Sequence, residues 1–373
     1  MNSLHRNDIL PLLLLILLGC GMSAVSSATL KDNQEAMFDL WTYFDEAILW
    51  QSDWTRFFPN ATVKEHFRAY RDLTPNPDPT KNFSSLHTNT FFYEDGRGEV
   101  SNNKGNCVGI CGPFELDKED SRTTTSSYGL IYAPGGPFDF MRTIVFPDRS
   151  LAWIPQDLPT AEQSPRAGME LFLGDGEFLR VSLGIFYDTS TGQLDMVSVI
   201  REDARGFGPF WSNTDGDPTE APELTKYSTT PEKQSALDDF WFSGFLDYGT
   251  YQTSHVSVPG LEQSTTFEPG SLWLDQGMPL DTLLPWDGIS VFEVLEDGIM
   301  IVCPNQLPTP DKDFFEVAVA WKKADGTWAA ALEAVYKDGT MSQVEYITMT
   351  DGEKPTKKTK KTKHSKKQKG KKG

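Results

Sequence analysis

The 373-residue sequence is poor in the residues that catalysis and cross-linking most often need, with only four cysteines and five histidines. Cys107, Cys111 and Cys303 are the three that follow the N-terminal apolar run, too few and odd in number for a disulfide framework. His66, His87, His255 and His364 form no H-x-x-x-H or H-E pattern, so no metal-ligand set is readable. There is no G-x-S-x-G elbow, no P-loop and no G-x-G-x-x-G turn. "YAPGGPFDF" sits between strand-like runs and reads as a turn. These absences leave no catalytic constellation, and the reading leans away from an enzyme. After residue 28 no apolar run is long enough for a membrane-spanning helix.

Charge is unevenly divided. Residues 354–373, "KPTKKTKKTKHSKKQKGKKG", hold eleven lysines and no acid, while the whole chain carries −19. The rest is therefore more acidic still, and a folded surface of that sign repels nucleic acid. The tail, 353–373, is too charged to fold and suits contact with an anionic surface, a polyanion or the chain's own acidic body.

The first 28 residues have the layout of a secretory signal peptide: Arg6, then "ILPLLLLILLGCG", then small residues ending at Ala28. The expected location is the secretory pathway, secreted or lumenal, with a plastid reached by that route as an alternative. "LLGC" also resembles a lipoprotein processing site, which would make Cys20 a lipid anchor. Asn60 in "NAT" and Asn82 in "NFS" are N-glycosylation sequons expected on surface turns. Cys107 and Cys111 in "GNCVGICGP" suit either a local disulfide or free thiols, and Cys303 in "GIMIVCP" suits a buried core thiol.

What the chain does have is short runs rich in aromatic and β-branched residues. Residues 30–50 read as a helix, with Met37, Leu40, Trp41, Phe44 and Ile48 on one stripe. From there to 203 the pattern is period two, in strands separated by Gly, Pro, Asp and Asn. Residues 206–235 have no period and read as a linker. Thr230 and Pro231 then open a second helix, as N-cap and first helical residue, and strands resume. The expected domains are 29–205 and 236–352.

The hairpin "FLRVSLGIFYDTSTGQLDMVSVIRED" returns as "TWAAALEAVYKDGTMSQVEYITMTD". Leu179, Val181, Leu183, Ile185 and Tyr187 share one face; Trp328, Ala330, Leu332, Ala334 and Tyr336 match them at a constant offset of 149. The first turn is read as one residue longer, and beyond the turns Leu194 and Met196 are set against Val344 and Tyr346. "FDFMRTIVFPDRSLAWIPQ" matches "ISVFEVLEDGIMIVCPNQ" in the same order, so a duplicated unit is expected. The other face is polar, with Arg180 and Ser182 in one copy and Thr327 and Glu333 in the other, and is expected to face water. The fold class that follows is mainly β: two tandem antiparallel up-and-down β-barrels, each preceded by a helix.

"WTRFFPN", "FYEDG", "FDFMRTIVFPD", the first hairpin and the distal "CPNQLP…FEVAVAW" together resemble an uncharacterised lipocalin-like family of cyanobacteria and plastid-bearing algae. The resemblance implies two calycin-type barrels and a fold related to the S-type lyases that attach bilins to phycobiliproteins. The lipocalin G-x-W is absent, replaced by "WQSDW".

A hollow barrel holds one small ligand. Because Ala330 and Ala334 stand where the first copy has Val181 and Ile185, the second barrel is expected to be roomier, its pocket bordered by Trp321, Trp328, Ala330, Ala334, Tyr336 and Tyr346. Val181, Ile185 and Tyr187, with Trp153 opposite, make the first the tighter. Ala334→Phe is then expected to abolish binding at little cost in stability. Arg142, Arg180 and Arg201 read as solvated strand residues that could meet a carboxylate at a rim. The expected function is carriage of a small hydrophobic molecule (lipid, pigment or tetrapyrrole) with no other cofactor. The alternatives are lyase-like or isomerase-like pigment handling and a ligand-free scaffold.

Overall fold

The computed structural model describes residues 48–75, 77–78, 84–92, 110–117, 124–125, 130–132, 141–146, 149–176, 178–206, 221–245, 251–259, 288–308, 314–323 and 326–351. The signal peptide, Cys20, most of the opening helix, Asn82, Cys107 and the lysine tail lie outside them. So do the side chains of His87, Cys111 and His255.

The described chain is dominated by antiparallel strands. The first sheet contains β1 (Ile48–Phe57), β2 (Val63–Pro75), β3 (Ser84–Phe92), β4 (Ile110–Asp117), β5 (Thr124–Thr125), β6 (Leu130–Tyr132), β7 (Met141–Val145), β8 (Leu151–Pro155), β9 (Arg166–Asp175), β10 (Leu179–Asp188) and β11 (Leu194–Asp203). Their order is β4-β3-β2-β1-β11-β10-β9-β8-β7-β6-β5. Ile48–Trp50, expected to end a helix, instead begins β1, where the period-two pattern of Trp50, Ser52 and Trp54 prevails.

The second sheet contains β12 (Thr225–Tyr227), β13 (Tyr251–Pro259), β14 (Ile289–Val294), β15 (Ile299–Pro304), β16 (Phe314–Lys322), β17 (Trp328–Lys337) and β18 (Thr340–Asp351), in the order β12-β14-β15-β16-β17-β18-β13. Among the described residues neither sheet closes: β4 does not pair with β5, nor β12 with β13. The all-antiparallel expectation is met, whereas the described strands form two open sheets. The short β5 and β12 offer little ladder for a closing seam.

The expected linker contains β12 and the start of α1 (Thr230–Phe245). Thr229 caps this helix, one residue before the expected position: its hydroxyl accepts from Glu232 N at 3.4 Å, and the Glu232 carboxylate accepts from Thr229 N at 3.1 Å. This reciprocal pairing satisfies donors that the first turn leaves open. Ala236, Leu237 and Phe240 then pack onto Val291, Met300, Val302, Ala318, Ala320 and Ala331 of the second sheet.

The repeat is visible in register. Each closing hairpin has a bulge at its tyrosine, at Phe186/Tyr187 and at Val335/Tyr336. The second turn is Asp338-Gly339, both with positive φ (51° and 80°), as a two-residue hairpin turn of this hand requires. Tyr187 pairs with Leu194 but Tyr336 with Met341, so the first turn is longer by two residues, not one. Leu194 therefore corresponds to Met341, and Val197 to Val344.

The two sheets share one core. Leu171, Val181, Leu183, Ile185 and Tyr187 belong to the same buried cluster as Val317, Val319, Leu332, Ala334 and Tyr336. The matching apolar faces of the two hairpins thus turn toward each other across the molecule. Tyr187 meets Phe315 with ring centroids 5.4 Å apart, and Phe146 meets Tyr346 at 5.3 Å. Small side chains at Ala330 and Ala334 suit close approach, and Cα atoms of β17 and β9 come within 8 Å of each other.

Candidate functional site

The face of the first sheet that points away from the second is the chemically unusual one. Period two places Trp50, Ser52 and Trp54 of β1 beside Arg71 of β2, Glu202 of β11, Arg180 and Ser182 of β10, and Glu170 and Phe172 of β9. This face was expected to be wet, yet Arg71 is 2% exposed, Arg180 1% and Glu202 0%. Arg142 and Arg201 are buried as well, so none of the three expected solvated arginines is solvated. Trp153, assigned to the apolar face, pairs with Glu170 and so lies on this one.

The charges interlock. Arg71 Nη2 lies 2.7 Å from Glu170 Oε1, and Arg71 Nη1 is 3.4 Å from Glu202 Oε1. Arg180 Nε lies 2.5 Å from Glu202 Oε2. Ser52 donates to Glu202 at 3.3 Å, Ser182 donates to Glu170, and Arg71 Nε reaches Asn89 Oδ1 at 3.4 Å. Two cations and two anions make the set neutral, which is how buried charges become tolerable. Burial pulls Arg71 down, but Glu170 and Glu202 together outweigh it and hold its guanidinium above the ordinary value. For Arg180 burial wins over Glu202 and lowers it.

Aromatic rings enclose the quartet. Arg180 stacks 4.3 Å from the Trp50 ring and 4.7 Å from Phe172; Arg71 lies 5.0 Å from Phe172 and 5.2 Å from Trp54. Further along, Trp54, Phe67 and Phe91 form a box with centroid separations of 5.1–5.7 Å. Arg56 lies 5.0 Å over Phe67. The Trp50 and Trp54 indole N–H groups, both buried, have no hydrogen-bond partner among the described residues. A buried donor left unmade costs about 1–3 kcal/mol, so two together mark a place where an acceptor would be welcome.

The residues expected to bind ligand do come together, but facing the first sheet. Trp321, Ala330, Ala334, Tyr336 and Tyr346 are buried in the shared core, with Trp328 packed at its edge 5.4 Å from Trp321. The reason is the shared core itself: the apolar stripe that looked like a barrel interior is the contact between the two sheets. Cys303 is a buried free thiol, pushed up to about 12 by burial. Asn60 is on an exposed turn, as its sequon requires, accepting from Thr62 Oγ1 at 2.7 Å. Among the described residues no group of three or more acidic, histidine or cysteine side chains could hold a metal ion.

Arg71, Glu170 and Glu202, with Trp50 and Trp54, were not expected as site residues. The available signal was charge at alternate positions inside otherwise apolar strands, as in "FRAYRDL" and "SVIRED", with "WQSDW" opposite.

Residues 37–207 match the family described as "Domain of unknown function (DUF3598), N-terminal". The family resemblance read from the sequence is met over that segment. Among solved structures the chain is similar to a DUF3598 protein of unknown function from Nostoc punctiforme, at 12% identity and a TM-score of 0.44, covering 84% of this chain and 98% of that one. It is also similar to the S-type phycobiliprotein lyase CPES from Guillardia theta, at 14% identity and a TM-score of 0.24, covering 47% of this chain and 97% of that one. No curated protein matches the chain.

Proposed function

We propose that the protein binds a small, flat, acceptor-bearing molecule on the far face of the first sheet, between Trp50, Trp54, Arg71, Arg180 and Phe172. In this reading the sheet curls into an incompletely closed barrel and that face is its interior. The observation that carries it is the pair of buried indole N–H groups without acceptors, set beside two guanidiniums and three rings. Rings give affinity to a flat conjugated body, and donors fix its oxygen or carboxylate groups. Of the expected ligands this favours pigment or tetrapyrrole over lipid, and it moves the proposed site from the second sheet to the first.

The test is a titration of the full chain with biliverdin, a flat dicarboxylate, and with oleate, followed by tryptophan quenching. Biliverdin is expected to quench and oleate to do so less. Trp50→Phe with Trp54→Phe keeps the rings and removes both donors, and should weaken biliverdin binding at least about tenfold. Equal binding by the double variant, or no quenching by either probe together with no molecule extracted from the purified protein, sinks the reading. Transfer of bilin to a cysteine of an acceptor protein would favour lyase-like handling over carriage.

A further inference from the structure

Arg56 ends the row of β1 side chains that face the proposed site, after Trp50, Ser52 and Trp54. Its guanidinium lies 5.0 Å from the centre of the Phe67 ring, 5.5 Å from Trp54 and 5.9 Å from Phe91, so it covers the three-ring box. Trp54 is shared, because Arg71 of the buried quartet stands 5.2 Å from the same ring. Trp54 is only 8% exposed, and its indole N–H is one of the two without an acceptor. Arg56 is thus one ring away from the unmet donors.

Arg56 differs from Arg71 and Arg180 in what holds it. The inner two are buried and locked to Glu170 and Glu202 in a neutral set. A ligand carboxylate that claimed either would strand a buried glutamate, which is strongly unfavourable. Arg56 pairs with Glu65 at 3.4 Å, directly across the β1–β2 ladder, and the two side chains are 23% and 26% exposed. An ion pair so open to water contributes little, and its carboxylate returns to solvent when displaced. The comparison selects the outer arginine as the one that a ligand acid can claim.

We infer that Arg56 is the specificity residue of the first-sheet site, taking a carboxylate of the ligand in exchange for Glu65. The inference rests on the binding reading above and adds an orientation to it. The conjugated body lies inward against Trp50 and Trp54, whose N–H groups meet its carbonyl oxygens, and the acid end stays at Arg56. A guanidinium presents a planar fork of donors that matches a carboxylate, and the rings beneath fix the plane of that fork. The ligand class is then a flat conjugated acid, and a neutral ester of the same body is discriminated against.

The test compares biliverdin with its dimethyl ester, which keeps the conjugated body and removes both acids, by tryptophan quenching of the full chain. The diacid is expected to bind at least about tenfold more tightly than the ester. Arg56→Gln should erase that preference by weakening the diacid alone, and Arg56→Lys should restore part of it. Glu65→Gln removes the competing carboxylate and should tighten the diacid but not the ester; it carries the test should Arg56→Gln not fold. No preference for the diacid in the wild type, equal loss of both probes in Arg56→Gln, or no response to Glu65→Gln overturns the inference. If Trp50→Phe/Trp54→Phe still weakens biliverdin in that case, the binding reading stands without it. No binding of either probe to the wild type overturns both.

Discussion

Tyr336 Oη donates to Pro155 O at 2.8 Å, and Tyr187 Oη donates to Pro304 O at the same distance. Each tyrosine ends the inter-sheet face of its own hairpin, and each proline ends the matching strand of the other sheet. The backbone repeats the exchange: Leu194 N to Asn305 O at 2.9 Å answers Met341 N to Gln156 O at 2.7 Å, and Leu307 N to Gly192 O answers Leu158 N to Gly339 O. The duplicated units therefore clasp each other about an approximate two-fold axis, each hairpin turn seated on the other's post-proline segment.

Because the two tyrosines are equivalent, Tyr187→Phe and Tyr336→Phe should cost nearly the same. Each removes a buried hydroxyl donor and strands a carbonyl, a loss of about 1–3 kcal/mol. Urea unfolding of the two variants is the measurement. A large cost in one and none in the other would mean that only one arm of the clasp matters.

Arg201 holds the sheets together at another point. It lies 3.4 Å from Asp53 of β1 and 3.1 Å from Glu296 and pairs with Asp297, both of these in the turn between β14 and β15. Burial, the largest influence, keeps both aspartates above the ordinary carboxylate value even with Arg201 present. Arg201→Ala should cost about 3–5 kcal/mol at neutral pH, since it strips the buried Asp297 of its guanidinium partner and leaves Asp53 facing His66, 3.3 Å away. Acid should narrow the gap to wild type, because protonating those carboxylates removes the uncompensated charge. A gap independent of pH would show that lost packing dominates.

Glu333 gives a second pH dependence, with its sign set by the direction of its shift. Burial first, then repulsion from Glu316 and Glu345, raises it well above the ordinary 4.5. A carboxyl raised in the folded state binds its proton more tightly there than when unfolded. Stability is then full below the unfolded value and falls as pH climbs from it toward the folded one. Glu333→Gln should be the more stable protein above about pH 5 and lose much of that advantage below it. Thermal unfolding of both proteins across pH 4–8 checks this, and parallel curves would contradict it.

Gly184 tests how tightly the far face of the first sheet is filled. A Cβ there would lie 2.3 Å from Ser198 Oγ and 2.5 Å from the Phe186 ring. Gly184→Ala should cost about 1–3 kcal/mol through overpacking. Adding Phe186→Leu should recover part of it, as read by chemical denaturation. Full tolerance of the alanine would mean that the ring swings aside freely.

Much of the fold was legible because hairpins write themselves in period two. The tyrosine-ended strands, the prolines at equal offset and the order of elements all identify the repeat. Which face is covered was not legible. Arg180 and Ser182 alternate with Val181 and Leu183 as on a half-wet strand, yet every residue from Leu179 to Ile185 is buried. Alternation tells two faces apart but not what lies over each, and ion pairing lets charge pass for surface. The partners that neutralise Arg180 and Arg71 come from strands far apart in sequence, such as Glu202 and Glu170, so no local window contains the quartet.

Ala334→Phe brings the misread face to a decision. If the space beside Ala334 were a cavity, the ring would fill it and block a ligand at little cost. Ala334 is instead 0% exposed, in a core shared with Leu171, Ile185 and Tyr187 of the opposite sheet. A ring there must push the sheets apart, which should cost about 1–3 kcal/mol or more. Biliverdin bound at Trp50 and Trp54 should be unaffected once the variant is measured well below its melting temperature. A stable Ala334→Phe protein that has lost the ligand would return the site to the second sheet's inner face.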